Sequence, residues 1–170
     1  MREFNMESTP KNADERAWAY ASVRGLKIRD ALGRGLHGCV FSSSGRTAIK
    51  AHNTDTSYTR ELACYNRLRE RNISDICGHH VPQYVGCDAT LWVIEMTIVT
   101  PPFLLDFAGA YLDWPPGFSP EAMEYWHNDK QEQFGTRWKE VQNILAMLSE
   151  QAEIYMLDVN PGNIMFPVER

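Results

Sequence analysis

Three glycines in six residues, Gly33, Gly35 and Gly38, restrict this chain more than any other stretch, because extended apolar runs flank them on both sides. Leu26, Ile28 and Leu32 lead in, and Cys39, Val40 and Phe41 lead out, which reads as strand, glycine turn, strand. Glycine lets a backbone approach a ligand closely, and the N–H groups of such a turn can donate to phosphate oxygens. The same string could be no more than a tight hairpin. A dinucleotide fingerprint would need the string to open a helix, and the residues beyond Gly38 are strand-like.

The turn Ser42-Ser43-Ser44-Gly45 feeds a third strand, Thr47 to Ala51, so two successive hairpins predict an antiparallel meander. Strand side chains alternate, which puts Ala48 and Lys50 on one face. A helix is predicted from Thr56 to Arg71, with Tyr58, Glu61, Tyr65 and Leu68 along one stripe. Glu61 therefore falls on the inward face, where a carboxylate is costly unless paired, and Lys50 is the natural partner. The alternative is an exposed Glu61 paired locally with Arg60 or Arg67. Strands at Gln83 to Gly86 and Leu91 to Met96, joined by the turn Cys87 to Thr90, bring the count to five. Further on, Leu104 to Leu112 predicts a short helix that Trp114 to Pro120 breaks. Arg137 to Glu150 carries a helical stripe of Trp138, Val141, Ile144, Leu145 and Leu148. At the start, Met1 to Asp14 reads as a polar arm and Glu15 to Val23 as a short helix.

The last motif is Asp158-Val159-Asn160-Pro161-Gly162-Asn163, lying between the apolar runs Ile154 to Leu157 and Ile164 to Phe166. An aspartate five positions before an asparagine on such a loop can set a carboxylate beside a hydroxyl nucleophile and a carbonyl oxygen on a metal. An Asx-type turn punctuated by proline and glycine is the plainer reading. Function classes can also be excluded. A net charge of -5 without a basic run argues against nucleic-acid binding. The apolar stretches are too short or too broken by proline to span a bilayer, so no membrane insertion is expected. Four cysteines without CxxC spacing and no signal-like start predict a reduced, cytoplasmic chain. Cys77, His79, His80 and Cys87 are soft metal-ligand types, but their spacing fits no familiar zinc pattern, and free thiols with loop histidines are the favoured reading.

Taken in order, these motifs resemble the protein-kinase-like superfamily. Gly33 to Val40 is similar to its glycine-rich loop, Ala48-Ile49-Lys50 to its Val-Ala-Ile-Lys strand, Glu61 to the glutamate of its αC helix, Val93 to Met96 to its fifth strand and hinge, and Leu157 to Met165 to its catalytic loop. The resemblance runs from about Leu26 to Phe166. It implies an α+β fold, with a five-stranded antiparallel N-lobe over about residues 25–97 and a reduced helical C-lobe over about 98–170, preceded by an arm and short helix over 1–24. It implies ATP and Mg²⁺ as ligands, with Gly33, Gly35 and Gly38 at the phosphates and Lys50 held by Glu61. An adenine slot would be roofed by Leu32, Val40 and Ala48 and floored by Met165. Ile94 would be the gatekeeper, the backbone of Glu95 and Thr97 the hinge, Asp158 the base and Asn163 a metal ligand.

The chain departs from that pattern in three places. Met156-Leu157 stands where His-Arg usually precedes the aspartate, Asn160 replaces a lysine two residues after it, and no Asp-Phe-Gly segment follows before Arg170. Nothing in the sequence visibly replaces that second metal-binding aspartate. The expected function is transfer of the ATP γ-phosphate to a hydroxyl, protein Ser/Thr favoured, slow for want of that ligand. A pseudokinase-type binding module is one alternative. A small-molecule phosphotransferase, whose loop also reads Asp-x-x-Pro-x-Asn, is another. A lobe cut short after the catalytic loop would expose apolar surface, so a protein substrate, a partner chain or self-association is expected.

Overall fold

The computed structural model describes residues 12–168. In chain order the elements are α1 (Ala13–Val23), β1 (Ile28–Gly35), β2 (Gly38–Ser43), β3 (Thr47–His52), α2 (Asp55–Glu70), β4 (Asp75–Ile76), β5 (His79–His80), β6 (Tyr84–Asp88), β7 (Val93–Thr97), β8 (Phe103–Leu104), β9 (Tyr111–Leu112), α3 (Pro120–Phe134), a 3₁₀ turn (Gly135–Arg137), α4 (Trp138–Ala152), β10 (Ile154–Tyr155) and β11 (Ile164–Met165). The chain is thus α+β, and its main sheet is a five-stranded antiparallel one in the order β1-β2-β3-β7-β6.

Alternation along β3 decides what each face of the sheet carries. Ile49 and Ala51 pack with Cys39, Phe41 and Val93 against Ala17, Tyr20 and Ala21 of α1. Ala48 joins Ile94 and Met96 on the opposite face, in the larger core that includes Tyr58, Tyr65 and Leu68 of α2. Helix α2 starts where Thr54 accepts from the Ser57 N–H, with Asp55 in its first turn and Arg67 and Arg69 in its last. Cap and charges all suit the helix dipole.

Several expectations need correction. Leu104 to Leu112 is not a helix but two short strands, β8 and β9, separated by a turn in which Asp106 takes a left-handed φ of 71°. Pairing decides this: Leu104 lies opposite Ile164, and Tyr111 opposite Tyr155. Leu104, Phe107, Ala108 and Ala110 are all buried, so no solvent face remains for a helix to present. Helix α3 was not foreseen; Ser119 caps it by accepting from the Ala122 N–H, and Pro120 occupies its first turn. The proposed arm over Met1 to Asp14 lies outside the described residues up to 11, and Ala13 and Asp14 belong to α1. Cys77 and Gly78, both at positive φ, form the two-residue turn of a β4–β5 hairpin rather than an open loop.

Candidate active site

Lys50 points from the α2 face of β3 and is only 6% exposed. Its Nζ lies 2.7 Å from Oε2 of Glu61 and 2.9 Å from Oδ1 of Asp106. Glu61, 1% exposed, is no surface residue paired with Arg60 or Arg67; it also meets Nε2 of His52 at 2.6 Å and accepts from the Phe107 N–H at 3.3 Å. Burial alone would raise the Glu61 carboxyl, but Lys50 and then His52 outweigh it and hold the group down at about 2. For Lys50 burial favours the neutral amine, while Glu61 and Asp106 reverse that and push the ammonium upward. Glu61 and Lys50 are therefore both charged at neutral pH. His52, fully buried, reaches Glu61 with one ring nitrogen and the Trp92 carbonyl with the other, at 3.1 Å.

Asp106 is the residue that reading in chain order missed. Asp106-Phe107-Ala108-Gly109 follows the short strand β8, and β8 pairs antiparallel with β11, the strand leaving the Asp158 loop. The fold thus brings Asp106 and the Asp158 loop together in space, although Asp106 comes more than forty residues earlier in the chain. Phe107 is fully buried and meets Tyr65 of α2 edge-on, with ring centroids 5.7 Å apart, so the segment is locked against the helix that carries Glu61. The signal was present in the sequence as an Asp-Phe pair after Phe103-Leu104-Leu105.

The Asp158 loop is an Asx turn as well as a candidate site. Oδ1 of Asn160 accepts from the N–H groups of Gly162 and Asn163. Asn163 donates through Nδ2 to the Asp158 carbonyl at 3.1 Å, and its own carbonyl accepts from the Leu105 N–H at 2.9 Å. That last bond stitches the loop to the segment bearing Asp106. The Asp158 side chain is about half exposed, with Nε2 of His37 3.6 Å from its Oδ2. Trp126 of α3 supports the loop from behind by donating to the Leu157 carbonyl.

The glycines divide by role. Gly33 and Gly35 lie in β1 with no atom within 4 Å of an added Cβ, so their exposed backbone can be approached closely. Gly38 is needed by the fold itself: at φ 150°, an added Cβ would stand 2.0 Å from the Ala51 carbonyl oxygen. Of the supposed adenine slot, Ala48 is buried, Val40 half-buried, and Leu32 and Met165 partly exposed. Ile94 is fully buried opposite Lys50, whereas Met96, opposite Ala48, stands at the outer end of the strand. The Thr97 N–H donates to the Gln83 carbonyl at 2.9 Å, and Glu95 lies in a strand paired on both sides. The Glu95 side chain serves the opposite face, accepting from Tyr20, Arg24 and Thr47.

Among the described residues no group of three or more His, Cys, Asp or Glu side chains is arranged to hold a metal, the Cys77 to Cys87 region included. None of the helices among them is long and apolar enough to cross a membrane. Large apolar side chains stand out at Trp114, Phe118 and Tyr125, beside an open apolar groove between α3 and α4 and away from the charged cluster.

No family model matches the chain, and no curated protein sequence matches it. Among solved structures, the streptomycin-ATP-APH(2")-IIa ternary complex aligns with 87% of this chain and 42% of that one, at 12% identity and a TM-score of 0.41. A likeness of that size does not define a fold, and the chain spans less than half of that protein's length.

Proposed function

We propose that the chain is an ATP-dependent phosphotransferase acting on a hydroxyl, with a protein-kinase-like arrangement of its site. One observation carries the reading: a buried lysine held between two carboxylates, one of them tied by paired strands to a loop that presents an aspartate and an asparagine. A structural ion pair needs one carboxylate. The second, Asp106, is a quarter exposed and follows Leu105, whose N–H donates to the Asn163 carbonyl, a position that suits a ligand better than a core contact.

In this reading Lys50 binds the α- and β-phosphates, and Glu61, itself oriented by His52, positions Lys50. The exposed backbone of Gly33 and Gly35 covers the phosphates. Residues 25–97, with α1 behind them, form the nucleotide-facing lobe, and 98–170 the smaller one. The base lies under Leu32, Val40 and Ala48 and over Met165, with Met96 rather than Ile94 at its edge. Its hydrogen bonds then go to the backbone beyond the paired strand, at Ile98 to Thr100.

The oxygen donor set also fits Mg²⁺, which takes one or two protein ligands and completes its shell with water and phosphate. Asp106 keeps an oxygen beyond the one on Lys50, and Asn163, donating through Nδ2, keeps Oδ1, so these two residues would hold the ion. When bound, Mg²⁺ neutralises charge on the β- and γ-phosphates. Asp158 takes the proton of the acceptor hydroxyl as its oxygen bonds to the γ-phosphorus. The bond from that phosphorus to the β,γ-bridging oxygen breaks, and its electron pair leaves with ADP. In this reading Asp106 serves as the second metal-ligating aspartate, which favours transfer over a binding-only module.

The test is titration calorimetry with ATP in the presence and absence of Mg²⁺, beside a γ-phosphate transfer assay with peptide and small-molecule hydroxyl acceptors. ATP should bind more tightly with Mg²⁺, and Asp158→Asn should keep binding while losing transfer. Absence of ATP binding by the wild type, or full transfer by Asp158→Asn, refutes the proposal.

A further inference from the structure

His37 stands at the end of the β1–β2 hairpin, in the two-residue turn it shares with Leu36. Its Nε2 lies 3.6 Å from the Asp158 carboxylate and 3.5 Å from where a Cβ on Gly109 would be. The imidazole thus sits where the hairpin tip, the turn after Asp106 and the Asp158 loop converge. The tip is held there. Asn53 donates from its backbone to the His37 carbonyl at 2.9 Å and from Nδ2 to the Leu36 carbonyl at 3.0 Å. With both turn carbonyls engaged, the ring is set in advance over the site.

Phosphoryl transfer places charge on the three equatorial oxygens of the moving group, and a donor facing them beside the base stabilises it. Lys50 is engaged by Glu61 and Asp106. Asn160, at the place of the missing lysine, uses its Oδ1 in the turn that shapes its own loop. The side chain that does face Asp158 is His37.

We propose that His37 is a catalytic residue that contacts the transferred phosphoryl group. In the free protein its Nε2 rests against Asp158. With ATP bound, the Nε2–H donates to a γ-phosphate oxygen instead, which leaves the Asp158 carboxylate open to the acceptor hydroxyl. The inference rests on the phosphotransferase reading and deepens it by naming the group that tells ATP from ADP.

Calorimetric titration of the full chain with Mg²⁺-ATP and Mg²⁺-ADP tests this, comparing wild type with His37→Ala and His37→Gln. His37→Ala should weaken ATP about tenfold while changing ADP less than about twofold, and lower transfer by about 100-fold, as for loss of one preorganised donor. His37→Gln, which keeps an N–H at similar reach, should recover part of both losses. The melting temperature of the free protein should hardly move, because the ring lies at a hairpin tip. An unchanged ATP-to-ADP ratio in His37→Ala overturns the inference and leaves the phosphotransferase reading standing. Equal loss of both nucleotides, with a lower melting temperature, makes His37 a structural residue and also overturns it. A wild type that binds neither nucleotide overturns both readings together.

Discussion

Lys50→Met removes one charge and keeps most of the side-chain volume, so it isolates what the ammonium does. Glu61 would lose its contact at 2.7 Å, and Asp106 its contact at 2.9 Å. Removing one member of a buried ion pair costs about 3–5 kcal/mol, because the remaining charge stays buried without its partner. Two features set the lower end of that range here. His52 still faces Glu61 at 2.6 Å, and Asp106 can turn toward water through its exposed quarter. A loss of about 3 kcal/mol corresponds to a drop in Tm of roughly 6–12 °C for a chain of this size. Chemical denaturation with urea, followed by tryptophan fluorescence and circular dichroism, measures it. Lys50→Met/Glu61→Gln should be at least ~1 kcal/mol more stable than the sum of the single losses predicts, since the second change removes the stranded charge. Neither the single nor the double variant should gain Tm on addition of ATP. A Lys50→Met protein within about 0.5 kcal/mol of wild type, inside the usual range for surface changes, would mean that Lys50 does not neutralise a buried Glu61.

Three other outcomes follow from the same cluster. Asp106→Asn keeps an acceptor for Lys50, so it should leave the free protein nearly as stable while removing the Mg²⁺-dependent part of ATP affinity in calorimetry. Glu61 is held at about 2 against a usual 4.5, so its stabilising contribution is complete above about pH 4.5 and fades as the pH falls toward 2. Urea midpoints measured from pH 6 to 2.5 should fall less steeply in Glu61→Gln. Phe107→Ala should lose about 3–5 kcal/mol, as for a fully buried aromatic, and Phe107→Leu clearly less, both read by urea unfolding.

What the sequence disclosed depended on how far each feature was local. Lys50 and Glu61 were legible because alternation in a strand and the three-four spacing of a helix assign faces without knowledge of the partner. The loop from Asp158 to Asn163 was legible for the same reason: its turn chemistry lies within six residues. Asp106 was not, because its place beside Lys50 comes from the pairing of β8 with β11, two strands far apart in sequence. Leu104 to Leu112 failed on length, since a run so short satisfies both helical and extended periods until its partners are known. Helix α3 has Phe134 as its only buried residue, so it shows no apolar stripe, and Ser119-Pro120 was its one written signal.

The pairing of β8 with β11 also orders events during synthesis. Lys50, Glu61, Asp106 and the buried Phe107 all leave the ribosome before α3, α4 and the Asp158 loop exist as free chain. The buried charges can therefore find their counter-ions early, while β8 waits with one edge open for β11, a strand that follows it by about sixty residues. On the proposed function, the nascent protein until then holds phosphate-binding groups without a proton acceptor. A nucleotide captured at that stage would stay intact, and the capacity to transfer its phosphate would appear only with the last strand to dock.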